Sequence, residues 1–172
     1  MDTGVLEKRF EEIYGTKVEH LYFAPGRVNL IGEHIDYNGG RVFPCALSFG
    51  TYLAVALRDD QKIAFASMNQ AFRLECDPTI FEHKPAEWVK YPLGVVKEFA
   101  DRGFDPWGFD ILYFGDIPNG AGLSSSASIE VVTAFMLNDL LHAGLDVVEL
   151  VKMSQRAENL FVGMNCGIMD QF

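Results

Sequence analysis

Cysteine is scarce. Cys45, Cys76 and Cys166 are odd in number, far apart and outside any C-x-x-C pair. That argues against a disulfide scaffold or a zinc site, and reduced, buried thiols in a cytoplasmic protein are expected. No run of about 18 apolar residues occurs, so no membrane-spanning helix is expected. The opening stretch MDTGVLEKRFEEIYG is charged and carries no apolar h-region, so it does not read as a signal peptide. Positive charge is also short: 14 Lys and Arg stand against 24 Asp and Glu, a formal net charge of -10. Such a chain is a poor partner for nucleic acid or an anionic membrane. Phosphorylated ligands stay open, because local amides and single cations read them. Two nucleotide motifs are missing as well: G-x-x-x-x-G-K-[ST], and a Rossmann glycine pattern with its acidic residue at the right distance. The sequence shows no repeat, low-complexity tract or internal linker.

What is present suits a globular domain. The 172 residues are 49% hydrophobic and 22% charged, enough for a sizeable core. Val5 to Tyr14 reads as an amphipathic helix ending at Gly15, and HLYFAPG as a strand stopped by Pro25-Gly26. Val42 to Leu57 is strand-like with a break at Ser48 to Gly50. Lys62 to Met68 and Ala71 to Cys76 suggest a hairpin across Asn69-Gln70. Trp88 to Arg102 fits a helix, Gly108 to Phe114 a strand, and Ser126 to His142 a strongly apolar helix. Asp146 is a good N-cap for a last helix through about Phe161, ending at Gly163. This order indicates an α+β fold, a mostly antiparallel sheet covered by helices.

Three stretches carry candidate chemistry. PNGAGLSSSAS, residues 118–128, combines Gly120, Ala121 and Gly122, which let backbone approach a ligand, with Leu123 and the serines Ser124, Ser125 and Ser126 where a helix begins. A helix start offers unpaired N–H groups and partial positive charge, hence an anion site, and a serine hydroxyl there can reach Mg²⁺. A simple serine cap on a core helix is the alternative. APGRVNLIGEHIDY gathers Arg27, Glu33, His34 and Asp36 among glycines. Short polar groups in one turn suit a polyhydroxylated ligand, although surface pairing would also explain them, and zinc is weak without a second histidine nearby. AENLFVGMNCGIMDQF holds Glu158 and, after Gly167, Asp170. An exposed helix charge and a cap are the plain readings. A helix end followed by a turn could instead bring both carboxylates to one cleft, one holding a metal and one accepting a proton.

Together these stretches resemble the GHMP kinase superfamily and, within it, the galactokinase family. APGRVNLIGEHIDYNGG, within residues 22–46, is similar to the N-terminal galactokinase signature. Residues 118–128 are similar to the superfamily phosphate loop, and residues 157–172 to the segment with the metal-binding Glu and catalytic Asp. The resemblance implies a ribosomal protein S5 domain 2-like fold over residues 1–172. It also implies transfer of the γ-phosphoryl group of ATP to the anomeric hydroxyl of galactose, giving galactose 1-phosphate. By position Asp170 matches the catalytic base and Arg27 the arginine beside it. Glu33, His34, Ile35, Asp36 and Gly167 match sugar-binding positions. Gly120, Ala121, Gly122, Leu123, Ser124, Ser125 and Ser126 match the ATP phosphate cradle, Ser67 a further nucleotide contact, and Ser126 and Glu158 the Mg²⁺ ligands.

The family pattern also has a C-terminal half with a further glycine-rich motif and a tyrosine near the sugar, and this chain carries neither. It therefore reads as the N-terminal domain, inactive or very weak by itself, with its missing C-terminal domain as a partner. A cytoplasmic site and no nucleic-acid or membrane partner are expected. Two other functions share these residues: a kinase for N-acetylgalactosamine or arabinose, and a non-catalytic sensor of galactose and ATP.

Overall fold

A computed structural model describes residues 2–32, 34–82, 87–118 and 123–172, with the side chains of residues 78 and 82 left aside. Helix α1 (Thr3–Tyr14) starts where the Asp2 side chain accepts the Gly4 N–H, and it ends at Gly15 in the left-handed region. Strands β1 (His20–Asn29), β2 (Pro44–Leu57), β3 (Ile63–Ser67), β4 (Leu74–Cys76) and β5 (Phe109–Gly115) follow, with helices α2 (Lys90–Ala100), α3 (Ser125–Leu140) and α4 (Val147–Arg156). The five strands form one sheet in the order β1-β2-β5-β3-β4. All pairs are antiparallel except β3 with β5. This is the α+β architecture expected from the order of elements.

Alternation along the central strands sorts the core into two layers. Leu53 and Val55 on β2, with Phe109, Ile111 and Tyr113 on β5, face α2, α3 and α4. Ala54, Ala56 and Leu112 point the other way, where Leu6 and Phe10 of α1 are fully buried against them. Burying each such large side chain stabilises by roughly 1.5–3 kcal/mol. Ser128, near the start of α3, fixes that helix to the sheet. Its hydroxyl donates to the Ala24 carbonyl at 2.8 Å and lies 2.9 Å from the Thr51 hydroxyl.

Several local expectations are corrected. Strand β1 does not stop at Pro25-Gly26. It continues to Asn29 past a register shift between Pro25 and Arg27, because an edge strand tolerates a proline that lacks a ladder donor. Strand β2 runs unbroken through Ser48 to Gly50. The β3–β4 hairpin pairs only Ile63–Phe65 with Leu74–Cys76, so its connection is far longer than Asn69-Gln70. Asn69 instead extends the sheet: its side chain accepts from Gly115 N–H and donates to Gly115 C=O, both at 2.8 Å. The last helix changes pitch, α4 passing into a π-helical turn over Ala157–Val162. The cysteines are free thiols, but Cys45 is exposed where a buried thiol was expected. Among the described residues no helix is long and apolar enough to cross a membrane.

Candidate active site

The chain's two ends meet at one carboxylate. Arg27, on β1 just past the register shift, donates from Nε to Asp170 Oδ1 at 2.9 Å and makes a second, closer contact through its terminal nitrogen. Ser124 donates from its hydroxyl to Asp170 Oδ2 at 2.7 Å. Asp170 is thus held on one oxygen by a cation and on the other by a hydroxyl. Charge-assisted bonds of this kind fix both position and orientation.

Ser124, expected in the phosphate cradle, directs its side chain elsewhere. It precedes α3 with φ 56° and makes no capping bond, so its side chain reaches Asp170 rather than the helix amides. Gly26 permits this crossing of chain segments. A Cβ there would lie 2.9 Å from both the Leu123 carbonyl and the Ile117 side chain.

Asp36 lies in a short 3-10 turn (Asp36–Asn38), and its Oδ2 accepts the Met169 N–H at 3.1 Å. A Cβ on Gly167 would fall 1.6 Å from the same oxygen, so only glycine leaves room for that carboxylate. The Ile35 carbonyl is taken by the Asn38 and Gly40 N–H groups. His34 is exposed with φ 60°, its ring 6.3 Å from that of Tyr37. Of the expected sugar group, Asp36 and Gly167 are in direct apposition beside Asp170. Glu33 lies outside the described residues, as do Gly120, Ala121 and Gly122 of the loop.

Ser125 and Ser126 open α3, a helix of 16 residues whose start carries partial positive charge. Beside them a cavity is lined by Ser67, Asn69, Trp88, Tyr91 and Tyr113. The Ser67 hydroxyl accepts the Asn69 N–H at 3.0 Å. Trp88 and Tyr91 carry no signal in the sequence beyond helix periodicity. Only the sheet, by bringing β3 and β5 to the start of α3, turns them into walls of one pocket.

Glu158 sits in the π-helical turn and is buried, not an exposed helix charge. Its Oε2 accepts from Gln171 Nε2 at 2.7 Å and lies 3.4 Å from the Cys166 thiol. Burial, followed by the Glu158 charge, pushes that thiol up to about 12, so it is not a thiolate at neutral pH. Glu130, four residues after Ser126 on α3, is fully buried beside Glu158 and Gln171, and neither its oxygens nor Gln171 Oε1 makes a hydrogen bond of ordinary geometry among the described residues. Burial, then the neighbouring Glu158, raises its carboxyl to about 10. Sequence reading passed over Glu130 as one residue of an apolar helix. An acidic residue in the first turns of an apolar run was the available signal. No group of three His, Cys, Asp or Glu placed to hold a metal occurs among the described residues. Mg²⁺ does not require such a group, since it binds one or two carboxylates together with substrate phosphates. The Glu158 carboxylate is a hard oxygen donor of the kind Mg²⁺ takes, although its Oε2 is shared with the Gln171 amide and the Cys166 thiol.

Comparison with known proteins agrees with this geometry. Residues 8–57 match the galactokinase galactose-binding signature, and residues 90–172 the N-terminal domain of GHMP kinases. The chain is 54% identical over 174 residues to a galactokinase of Clostridium tetani, covering 100% of this chain and 44% of that protein. It is 55% identical over 168 residues to a galactokinase of Bacillus subtilis, covering 95% and 43%. It therefore spans less than half the length of these curated relatives. Lactococcus lactis galactokinase, solved in complex with galactose, superimposes with a TM-score of 0.93 at 38% identity, covering 100% of this chain and 46% of that one. A mevalonate kinase at 23% identity and a TM-score of 0.77 shares the fold. The chain belongs to the GHMP kinase superfamily, where it is the counterpart of the N-terminal part of a galactokinase.

Proposed function

We propose that this chain is the N-terminal domain, residues 1–172, of a galactokinase that transfers the γ-phosphoryl group of ATP to the anomeric hydroxyl of galactose. The observation that carries this reading is Asp170, bracketed by Arg27 and Ser124 while Asp36 binds the same segment one residue away. A sugar hydroxyl beside Asp170 can pass its proton to the carboxylate as the phosphoryl group arrives. Arg27 keeps Asp170 in place and sets positive charge beside the transferred group. The amides at the start of α3 face the phosphates, and the cavity with Ser67, Trp88 and Tyr91 takes the nucleotide. Phosphoryl transfer depends mainly on such positioning and charge stabilisation. Asp36 and the Gly167 backbone, with His34, Ile35 and Glu33, hold the sugar. Ser126 and Glu158 hold Mg²⁺, which neutralises charge on the phosphates when bound. The remaining wall of the cleft comes from a C-terminal domain, and the free cysteines suit the cytoplasm.

The test is ATP-dependent phosphorylation by the complete protein with galactose, N-acetylgalactosamine, arabinose and no sugar. Product with galactose in clear preference is expected, and turnover with Asp170→Asn should fall by orders of magnitude while folding is retained. Preference for another sugar would overturn the substrate. Binding of galactose and ATP without product would make the protein a sensor. Unchanged turnover of Asp170→Asn would remove that residue from the chemistry.

A further inference from the structure

Asn69 takes the place of a strand without belonging to one. Strands β3 and β5 pair as far as Ser67 with Tyr113, and the Met68 N–H still donates to the Tyr113 carbonyl at 2.9 Å. Beyond that point Asn69 offers a side chain where paired backbone would continue. Its Oδ1 accepts the Gly115 N–H and its Nδ2 donates to the Gly115 carbonyl, both at 2.8 Å. Strand β2 holds the other edge. Thr51 stands opposite Gly115, the Asp116 N–H donates to the Gly50 carbonyl at 3.1 Å, and Asp116 Oδ1 accepts the Gly50 N–H at 2.7 Å. The end of β5 is thus held from both sides.

That end is a wall of the cavity at the start of α3. Gly115 and Ile117 line it together with Ser67, Asn69, Ser125 and Ser126. Asn69 also holds a second wall residue, because its N–H donates to the Ser67 hydroxyl at 3.0 Å. This occupies an oxygen lone pair and leaves the Ser67 proton as a donor for another acceptor. Asn69 itself is exposed. Water competes for an exposed amide pair, so its two bonds add little to stability while no ligand covers them. A ligand in the cavity would displace that water, and hydrogen bonds strengthen where water is excluded. The pair therefore counts most when the cavity is filled.

We infer that Asn69 is a positioning residue for nucleotide binding, which aligns the end of β5 and the Ser67 hydroxyl as two walls of the nucleotide cavity. The inference rests on the reading above, in which this cavity takes the nucleotide. Asn69 adds no chemistry at the transferred group, since neither it nor Gly115 lines the space beside Arg27 and Asp170.

The probe is a fluorescent ATP analogue titrated into the complete protein, with kcat and both KM values from steady-state kinetics. Wild type is compared with Asn69→Ala and with the near-isosteric Asn69→Asp, which keeps an acceptor for the Gly115 N–H but sets a carboxylate oxygen against the Gly115 carbonyl. Trp88→Ala, which alters the cavity itself, is the control. Both Asn69 variants should weaken the analogue and raise the KM for ATP by about tenfold or more. Their kcat, their KM for galactose and their ligand-free urea midpoint should stay close to wild type. If Trp88→Ala weakens the analogue and neither Asn69 variant does, the inference is wrong and the cavity remains the nucleotide's. If Trp88→Ala also leaves the affinity unchanged, the cavity assignment falls and this inference with it. A lower kcat or urea midpoint with nucleotide affinity unchanged would mark Asn69 as a structural latch and overturn the inference as well.

Discussion

Gly167→Ala is the most exacting probe of the sugar end of the site. The new methyl carbon would stand 1.6 Å from Asp36 Oδ2 and 2.3 Å from its Cγ. Ordinary contact between carbon and oxygen needs roughly twice the first distance, so the Asp36 carboxylate must swing away. Doing so breaks its bond from the Met169 N–H, now 3.1 Å long. A hydrogen bond to a charged group contributes about 1.5–3 kcal/mol, which at 1.36 kcal/mol per tenfold is about 10- to 150-fold. The expected loss is that factor in kcat/KM for galactose, with the KM for ATP little changed, because neither Asp36 nor Gly167 lines the cavity of Ser67, Trp88 and Tyr91 proposed for the nucleotide. Steady-state kinetics on the complete protein, varying each substrate in turn, measures it. A variant with wild-type kcat/KM for galactose would refute the idea that Asp36 must hold its present position. An equal loss toward ATP would refute the separation of the two subsites.

Two further outcomes follow from the same geometry. Ser124→Ala removes the donor on Asp170 Oδ2 and should lower kcat by about 10- to 150-fold with little change in the KM for ATP. Ser124→Gly, which suits the positive φ, should lose as much; restored turnover in the glycine variant would assign Ser124 to loop conformation instead. Glu130, raised to about 10 in the folded chain, keeps its proton where the unfolded chain has lost it, so stability should decline as pH rises from about 4.5 toward 10. Glu130→Gln should flatten that decline in metal-free urea melts and gain stability at pH 8; an unchanged pH slope would contradict it.

The elements with strong local signals were legible. Gly15 in the left-handed region ends α1, and Asp146, accepting from the Glu149 N–H at 2.9 Å, starts α4. Pro25-Gly26 misled because its meaning is positional. On an edge strand the proline costs no ladder bond, and the glycine serves the crossing of residue 123, which no local window contains. The continuity of β2 likewise depends on pairing with β1 and β5 on its two sides. Within the site, residue types marked Arg27, Asp36, Glu158 and Asp170 as candidates beside plainer readings, and the family resemblance gave them roles. They could not show that Ser124 turns toward Asp170, nor that Glu130 is walled in beside Glu158. Both facts depend on which way α3 faces once Ser128 has fixed it to the sheet.

The separation of the site's partners along the chain also has a consequence for synthesis. Arg27 and Asp170 are 143 residues apart, and Asp36 and Met169 are 133 apart. At about 5–20 residues per second, a ribosome adds Asp170 on the order of 10 s after Arg27. The sheet and α1 through α4 precede Asp170 in the chain, so they can begin to assemble before the base exists. The nascent chain therefore carries this scaffold before it carries the carboxylate proposed to act as the base.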